Sequence, residues 1–397
     1  MLPSTITINI IALITFLLLT IAYGQERKIN STINPGCNEC SLNSTLVYIK
    51  ATGQSDIIHQ IWDFTRGIPT MILAVAGLNS SVNISWDGVR PNDFVLSEKP
   101  QYSFATAIDK LYEYNDLEDS GHIDGKCSHH EQSLRRVSWY LNESVLTDKE
   151  TMVRMHGSLH GVKGKDIIDV KLDLLPYTDY AVQLPHLIHT ANSTLVDLSL
   201  VNLTTSRDFN SSRFALHFVL VSTDSRDDTM HNVMRKSLDD EHTPGIFEII
   251  EIKTPASFVG DDGGFLQFRP VCYTQRNRGV ASSSITHVSD FNRTSIPQRS
   301  TLEAFYRRFD ASKLLVQDML VSFGEPSDGF YKQHNYTDWS YTFGYGAPPV
   351  ESFSLFVIMI ISVGLAVPVL LAMSGVVLVV VRKYRQRNAP TRLTEED

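Results

Sequence analysis

The chain has 397 residues, with 35 Lys plus Arg against 44 Asp plus Glu, four Cys and 43% hydrophobic residues. That composition excludes a disordered, collagen-like or coiled-coil chain, and the length is enough for two soluble domains. No charged side chain occurs in residues 1–24 or 352–381, and residues 382–397 carry five basic and three acidic groups, which leaves −11 on residues 25–351. An acidic body of this kind has no electrostatic footprint for nucleic acid, so none is expected as a partner.

Residues 1–24 are predicted to be a signal peptide. The apolar run Ile10 to Ala22 is interrupted only by Thr15 and Thr20 and is too short to span a bilayer. Ala22-Tyr23-Gly24 then supplies small residues at the −3 and −1 positions of a cleavage site. The start of the chain has no Lys or Arg, and a retained N-terminal anchor is the alternative.

Residues 25–351 are predicted to be a glycosylated, lumenal, β-rich region. They hold Asn-x-Ser/Thr sequons at Asn30, Asn43, Asn79, Asn83, Asn142, Asn192, Asn202, Asn210, Asn292 and Asn335, a density that implies a heavily sugar-coated surface. The same region holds all four cysteines, Cys37, Cys40, Cys127 and Cys272, an even number of disulfide candidates that allows three pairings. Cys37-Asn38-Glu39-Cys40 has the spacing of a redox dithiol, but it follows Pro35-Gly36 in a polar stretch and not a strand-to-helix junction. Cys127, His129 and His130 lack the second ligand pair that a zinc site with Cys37 and Cys40 requires.

Periodicity gives mainly strands. Asp166 to Leu174 alternates cleanly, with Ile168, Val170, Leu172 and Leu174 on one face and Ile167, Asp169, Lys171 and Asp173 on the other. Thr194 to Leu203 and Arg213 to Ser222 behave similarly. Further runs are Thr45 to Ile49, Thr70 to Ala76, Ser81 to Trp86, Phe265 to Tyr273, Leu314 to Phe323 and Tyr336 to Phe343. A helix is predicted over Phe104 to Tyr114, where Ala107, Leu111 and Tyr114 fall at helical spacing. Thr223 to Gly245 reads as a polar connection, either a loop, an insert or a boundary between two β units. The fold class is therefore mainly β, an antiparallel sandwich-like region of one or two units followed by a single transmembrane helix.

No catalytic constellation emerges. In Gly157-Ser158-Leu159-His160-Gly161 the serine is not central, so there is no nucleophile elbow. His130-Glu131-Gln132-Ser133-Leu134 puts Leu where a zincin has its second His. Asp116, Glu118, Ser120, Gly121 and Ile123 fit a calcium loop, but Cys127 stands at the position of the bidentate Glu. Asp261-Asp262-Gly263-Gly264 reads as a turn. No catalytic residue, cofactor or metal is expected.

Residues 352–381 are uncharged and longer than a hydrocarbon core of roughly 30 Å requires, which predicts a transmembrane helix. Arg382, Lys383, Arg385 and Arg387 follow it directly, so the positive-inside rule puts residues 382–397 in the cytosol and the body in the lumen. Gly364, Ala366, Pro368, Ala372, Ser374 and Gly375 offer a face that another helix could approach closely.

The chain resembles the glycosylated lysosomal membrane protein family. The resemblance rests on Ile61-Trp62 before Pro69, Val82-Asn83-Ile84-Ser85-Trp86, Ser237-Leu238-Asp239-Asp240-Glu241 with Pro244 and Phe247, and Arg269-Pro270-Val271 with Tyr273 and Gln275. It continues through Gln333-His334, Trp339-Ser340, Gly344 and Pro348-Pro349-Val350. It implies a type I lysosomal membrane protein that serves as non-catalytic accessory subunit of a major facilitator superfamily dipeptide transporter, retaining it in lysosomes and shielding it from proteases. Expected partners are that transporter, membrane lipid and a second copy of the chain. The family ends in a Tyr-x-x-hydrophobic sorting signal, whereas Tyr384 here is followed by Arg385, Gln386 and Arg387, so sorting is expected to depend on a partner. A membrane-tethered lysosomal hydrolase and a cell-surface adhesion or receptor ectodomain are the alternatives.

Overall fold

The structure, a computed structural model, describes residues 26–387 except 42–43, 124–126, 160–165, 238–242, 244, 261 and 352–354. The expected signal peptide, Asn43, Asp261, His160 and most of the Ser237–Glu241 motif lie outside the described residues, as does the end of the tail. The chain divides into a β body that ends at Pro349 and a C-terminal unit from Val350.

The strands run in chain order as Lys28–Ile33 (β1), Leu46–Thr52 (β2), Ile57–Asp63 (β3), Thr70–Ala76 (β4), Val82–Asp87 (β5), Arg90–Leu96 (β6) and Tyr102–Asn115 (β7). Next come His129–Ser133 (β8), Val137–Leu146 (β9), Thr151–Leu159 (β10), Asp166–Leu174 (β11), Asp179–Tyr180 (β12), Ile188–His189 (β13), Ser193–Val201 (β14) and Ser212–Ser222 (β15). The last are His231–Lys236 (β16), Glu248–Lys253 (β17), Gly264–Phe268 (β18), Val271–Tyr273 (β19), Ser283–Val288 (β20), Asn292–Arg293 (β21), Leu315–Phe323 (β22) and Tyr336–Tyr345 (β23). The α-helices are Pro255–Gly260 (α1), Thr301–Tyr306 (α2), Tyr331–His334 (α3) and Leu355–Arg387 (α4).

The pairings are antiparallel and form two layers. In the first, β1, β2, β3, β4, β7, β15 and β22 lie side by side, with β8 continuing the β4 edge of β7. The second has the order β9, β10, β11, β14, β23, β18, β17, β16. Strand β20 joins them, pairing with β19 beside the second layer and with β22 in the first. Aromatic side chains fill the space between the layers: Phe104 stacks on Phe343 at 5.1 Å, and Phe218 meets Trp339 edge-on at 5.9 Å. This is the sandwich expected of strands with one apolar face.

The first layer is covered on its outer side as well. Along β4, Met71, Leu73 and Val75 face the inter-layer core while Ile72 and Ala74 enter a second cluster. That cluster is closed by the β5–β6 hairpin and α2, where Phe94 packs on Phe305 at 5.8 Å. Ser300 caps α2 by accepting from the Glu303 amide, which starts the helix where the apolar Leu302, Ala304 and Phe305 follow. Coverage on both faces explains why β3 and β4 are buried along their whole lengths.

Two sequence expectations need correction. Phe104 to Tyr114 is not a helix but most of β7. Its pairing with β15 slips between His217 and Phe218, opposite Lys110 and Ile108, leaving Asp109 as the extra residue of a bulge. The bulge sets Ile108 and Leu111, three apart, against the same core and so imitates helical spacing. Thr223 to Gly245 is not simply a connection, because it contains β16. That strand is an edge with Asn232, Met234 and Lys236 exposed, so no apolar run betrays it.

In the C-terminal unit, α4 contains Pro368 and continues through Arg382 to Arg387. Its segment Met359–Arg385 is long and apolar enough to cross a membrane.

Candidate functional site

Nine of the ten predicted glycan acceptors are among the described residues. Asn30, Asn79, Asn83, Asn142, Asn202, Asn210, Asn292 and Asn335 are exposed. They occupy strand edges and turns: Asn30 on β1, Asn83 on the covering hairpin, Asn142 on the edge strand β9, Asn292 on β21. Asn202 and Asn335 sit just beyond the paired residues Val201 and Tyr336, and Asn210 just before β15, so three acceptors gather at one end of the sandwich. The chain leaves the body from the opposite end of β23. Asn202 and Asn335 both adopt left-handed backbone, φ 49° and 53°, which asparagine tolerates. Asn192 differs: it is half-buried, and its Oδ1 accepts from Arg27 Nε at 2.5 Å.

A disulfide joins Cys37 to Cys40. Cys272 is a buried thiol whose Sγ donates to the Ile285 carbonyl at 3.4 Å, and burial pushes its pKa up to about 12. Cys127 is a half-exposed thiol ahead of β8. His130 and Glu131 lie on that strand and not on a zincin helix, and Glu131 pairs with Lys110 at 2.8 Å.

The segment that resembles a calcium loop has another use. Asp116 Oδ1 accepts from the Ser120 amide and Oδ2 from the Gly121 amide, and Oδ2 also receives Arg213 Nε at 2.8 Å. Burial pushes the Asp116 carboxyl up, but the two amides and Arg213 outweigh it and hold it low. Arg213 further pairs with Asp119 at 2.8 Å and Asp328 at 2.9 Å. The loop therefore anchors a buried arginine that ties the start of β15 to two turns.

Among the described residues one group has the composition of a metal site, His156, Asp166 and Asp169, with ligand atoms within 4.8 Å of one another. All three side chains are partnered: His156 Nδ1 lies 2.5 Å from Asp169 Oδ1, and Tyr140 donates to Asp166 at 2.5 Å.

On the outer face of the second layer lies a charged groove of about 580 Å³. Its floor comes from alternate residues of β11, β14 and β23, namely Asp169, Lys171 and Asp173, then Asp197 and Ser199, then Asp338. The β12–β13 hairpin and the β19–β20 connection wall it with Tyr180, His189, Arg276 and Arg278. Arg278 holds these walls together. It donates to both Asp338 oxygens, at 2.7 and 2.8 Å, to Asp197 at 3.1 Å, and to the Leu184 carbonyl at 2.6 Å. Burial alone would lower its pKa, but Asp197 and Asp338 outweigh that and raise it, so Arg278 is a permanent cation. Among the described residues no sequon asparagine lines the groove.

The alternation along Asp166–Leu174 sets Asp169, Lys171 and Asp173 on the face opposite the apolar one, but nothing local marks the groove. Its members come from strands far apart in the chain.

The family profile described as "Glycosylated lysosomal membrane protein" matches residues 45–386. The chain belongs to the glycosylated lysosomal membrane protein family. It is 28% identical over 388 residues to glycosylated lysosomal membrane protein A of Xenopus laevis, covering 91% of this chain and 92% of that protein. It is 27% identical over 379 residues to the Danio rerio glycosylated lysosomal membrane protein, 90% of each chain, and 24% over 367 residues to the Homo sapiens protein, 86% and 85%. As a member of this family it is a lysosomal membrane glycoprotein with a large β body and one C-terminal candidate span. The arginines and lysine that end that span give it the type I orientation.

Proposed function

We propose that this family member is a non-catalytic accessory subunit that binds a many-span transporter of the major facilitator superfamily in the lysosomal membrane and protects it from lysosomal proteases. The observation that supports this reading is the distribution of exposed acceptors, eight sequon asparagines on edges, turns and one end of a β body whose chain continues into a single candidate span. Each glycan is bulky and hydrated, so a sandwich clothed in this way resists proteolysis and extends steric cover to whatever it rests against. The resemblance adds a dipeptide as the cargo of the transporter and lysosomal retention as a second service. Delivery then relies on the partner, because Arg387 stands where the family's sorting signal has its hydrophobic residue.

Pulse–chase labelling in cells lacking this protein tests the reading. One lysosomal many-span transporter is expected to show a half-life shortened several-fold, restored by re-expression and by lysosomal protease inhibitors. Unchanged half-lives across the lysosomal transporters would contradict it.

A further inference from the structure

Three buried polar atoms of the groove lining have no hydrogen-bond partner among the described residues, Nδ1 of His189, Oδ1 of Asp173 and Nε of Arg154, the last lying 3.6 Å from Glu143. His189 is 3% exposed and lines the groove. A buried polar atom left unsatisfied costs free energy, so native structures almost always supply it with a protein group, a water or a ligand. The groove is also acidic, six lining carboxylates against four lining cations. Most of those cations are already engaged. Arg278 is held by Asp338 and Asp197, Lys171 by Asp173 Oδ2 at 3.2 Å, and Arg154 by Glu143 at 3.6 Å. At Asp173 and His189 acceptor capacity remains unmatched, and the groove keeps a net negative charge, in a space large enough for a small molecule.

We propose that this groove binds a small organic cation, a primary ammonium or guanidinium compound, whose N–H groups satisfy Asp173 Oδ1 and His189 Nδ1. Burial lowers the pKa of His189, against the opposing pull of Asp173 and Asp179, which favours the neutral ring, and Nδ1 of that ring accepts when Nε2 carries the proton. A carboxylate ligand is disfavoured by the net charge, and a neutral sugar leaves that charge unmatched.

The test is isothermal titration of the full-length protein in detergent with spermidine and agmatine as cationic probes, propionate as the anion and glucose as the neutral control. The expected result is saturable binding of at least one cation, tighter than propionate or glucose by tenfold or more and weakened about tenfold by Asp173→Asn at unchanged thermal stability. If Asp173→Asn does not fold, Asp179→Asn on the exposed strand β12 carries the test, with an expected loss of about threefold. Failure of both cations to bind, equal binding of propionate or glucose, or cation binding indifferent to the variant that folds overturns the proposal and assigns the two atoms to ordered water only.

Discussion

Asp109 occupies the bulge of β7, and its Oδ1 lies 2.5 Å from Nδ1 of His217 on β15. The other ring nitrogen of His217 is 3.2 Å from Asp318 on β22, so one imidazole links three neighbouring strands. Only the imidazolium donates from both nitrogens. Burial lowers the pKa of His217, but Asp109 and Asp318 together outweigh it and raise it.

A histidine whose folded pKa is raised contributes stability fully below its unfolded pKa, about 6.5, and loses it as pH rises through the folded value. His217→Gln is therefore expected to destabilise the protein by about 2 kcal/mol at pH 5 and by much less at pH 8. Denaturant titrations of both proteins at the two pH values check this; an equal loss at both would show that the histidine acts only by packing.

His59 works in the opposite direction. It is buried between the Tyr48 hydroxyl at 2.8 Å and the Ser80 hydroxyl at 2.7 Å, and burial, with Lys50 adding to it, lowers its pKa to about 4. Stability from this neutral histidine is complete above pH 6.5 and declines as pH falls towards 4. His59→Gln, which keeps polar contacts but does not titrate, should lose about 2 kcal/mol less than the wild type on acidification from pH 7 to 4.5. Parallel acid-unfolding curves would contradict this.

Arg213 is a hub whose removal leaves Asp116, Asp119 and Asp328 without their shared cation. Breaking a buried pair from one side costs about 3–5 kcal/mol. Arg213→Ala should fall in that range and Arg213→Lys should cost less, as read by denaturant unfolding at neutral pH.

Asn192 is expected to be unmodified in the mature protein, whereas Asn202 and Asn335 carry sugar. A glycan attaches at Nδ2, and the half-buried setting that holds Asn192 Oδ1 against Arg27 restricts access to that atom. Peptide mapping after enzymatic deglycosylation in heavy-oxygen water reads each site, and heavy label at Asn192 would count against the described packing.

How much was legible in the sequence follows from how each strand is covered. Asp166–Leu174 has one polar and one apolar face, and its predicted limits match β11. Ile57–Asp63 is buried on both faces, so its sequence has no alternation and does not read as a strand. Phe104 to Tyr114 reads as a helix because a single bulged residue shifts the period. The sequons and the candidate span were legible because each depends on a few adjacent residues. The groove was not, because Asp173, His189, Arg278 and Asp338 meet only through long-range pairing.

The central claim is that this glycoprotein is built around a partner in the membrane. Crosslinking the native full-length protein in mild detergent, followed by purification and mass spectrometry, tests it most directly. Recovery of one many-span transporter in stoichiometric amount is the predicted result. Recovery of the chain by itself, or only with copies of itself, would contradict the account.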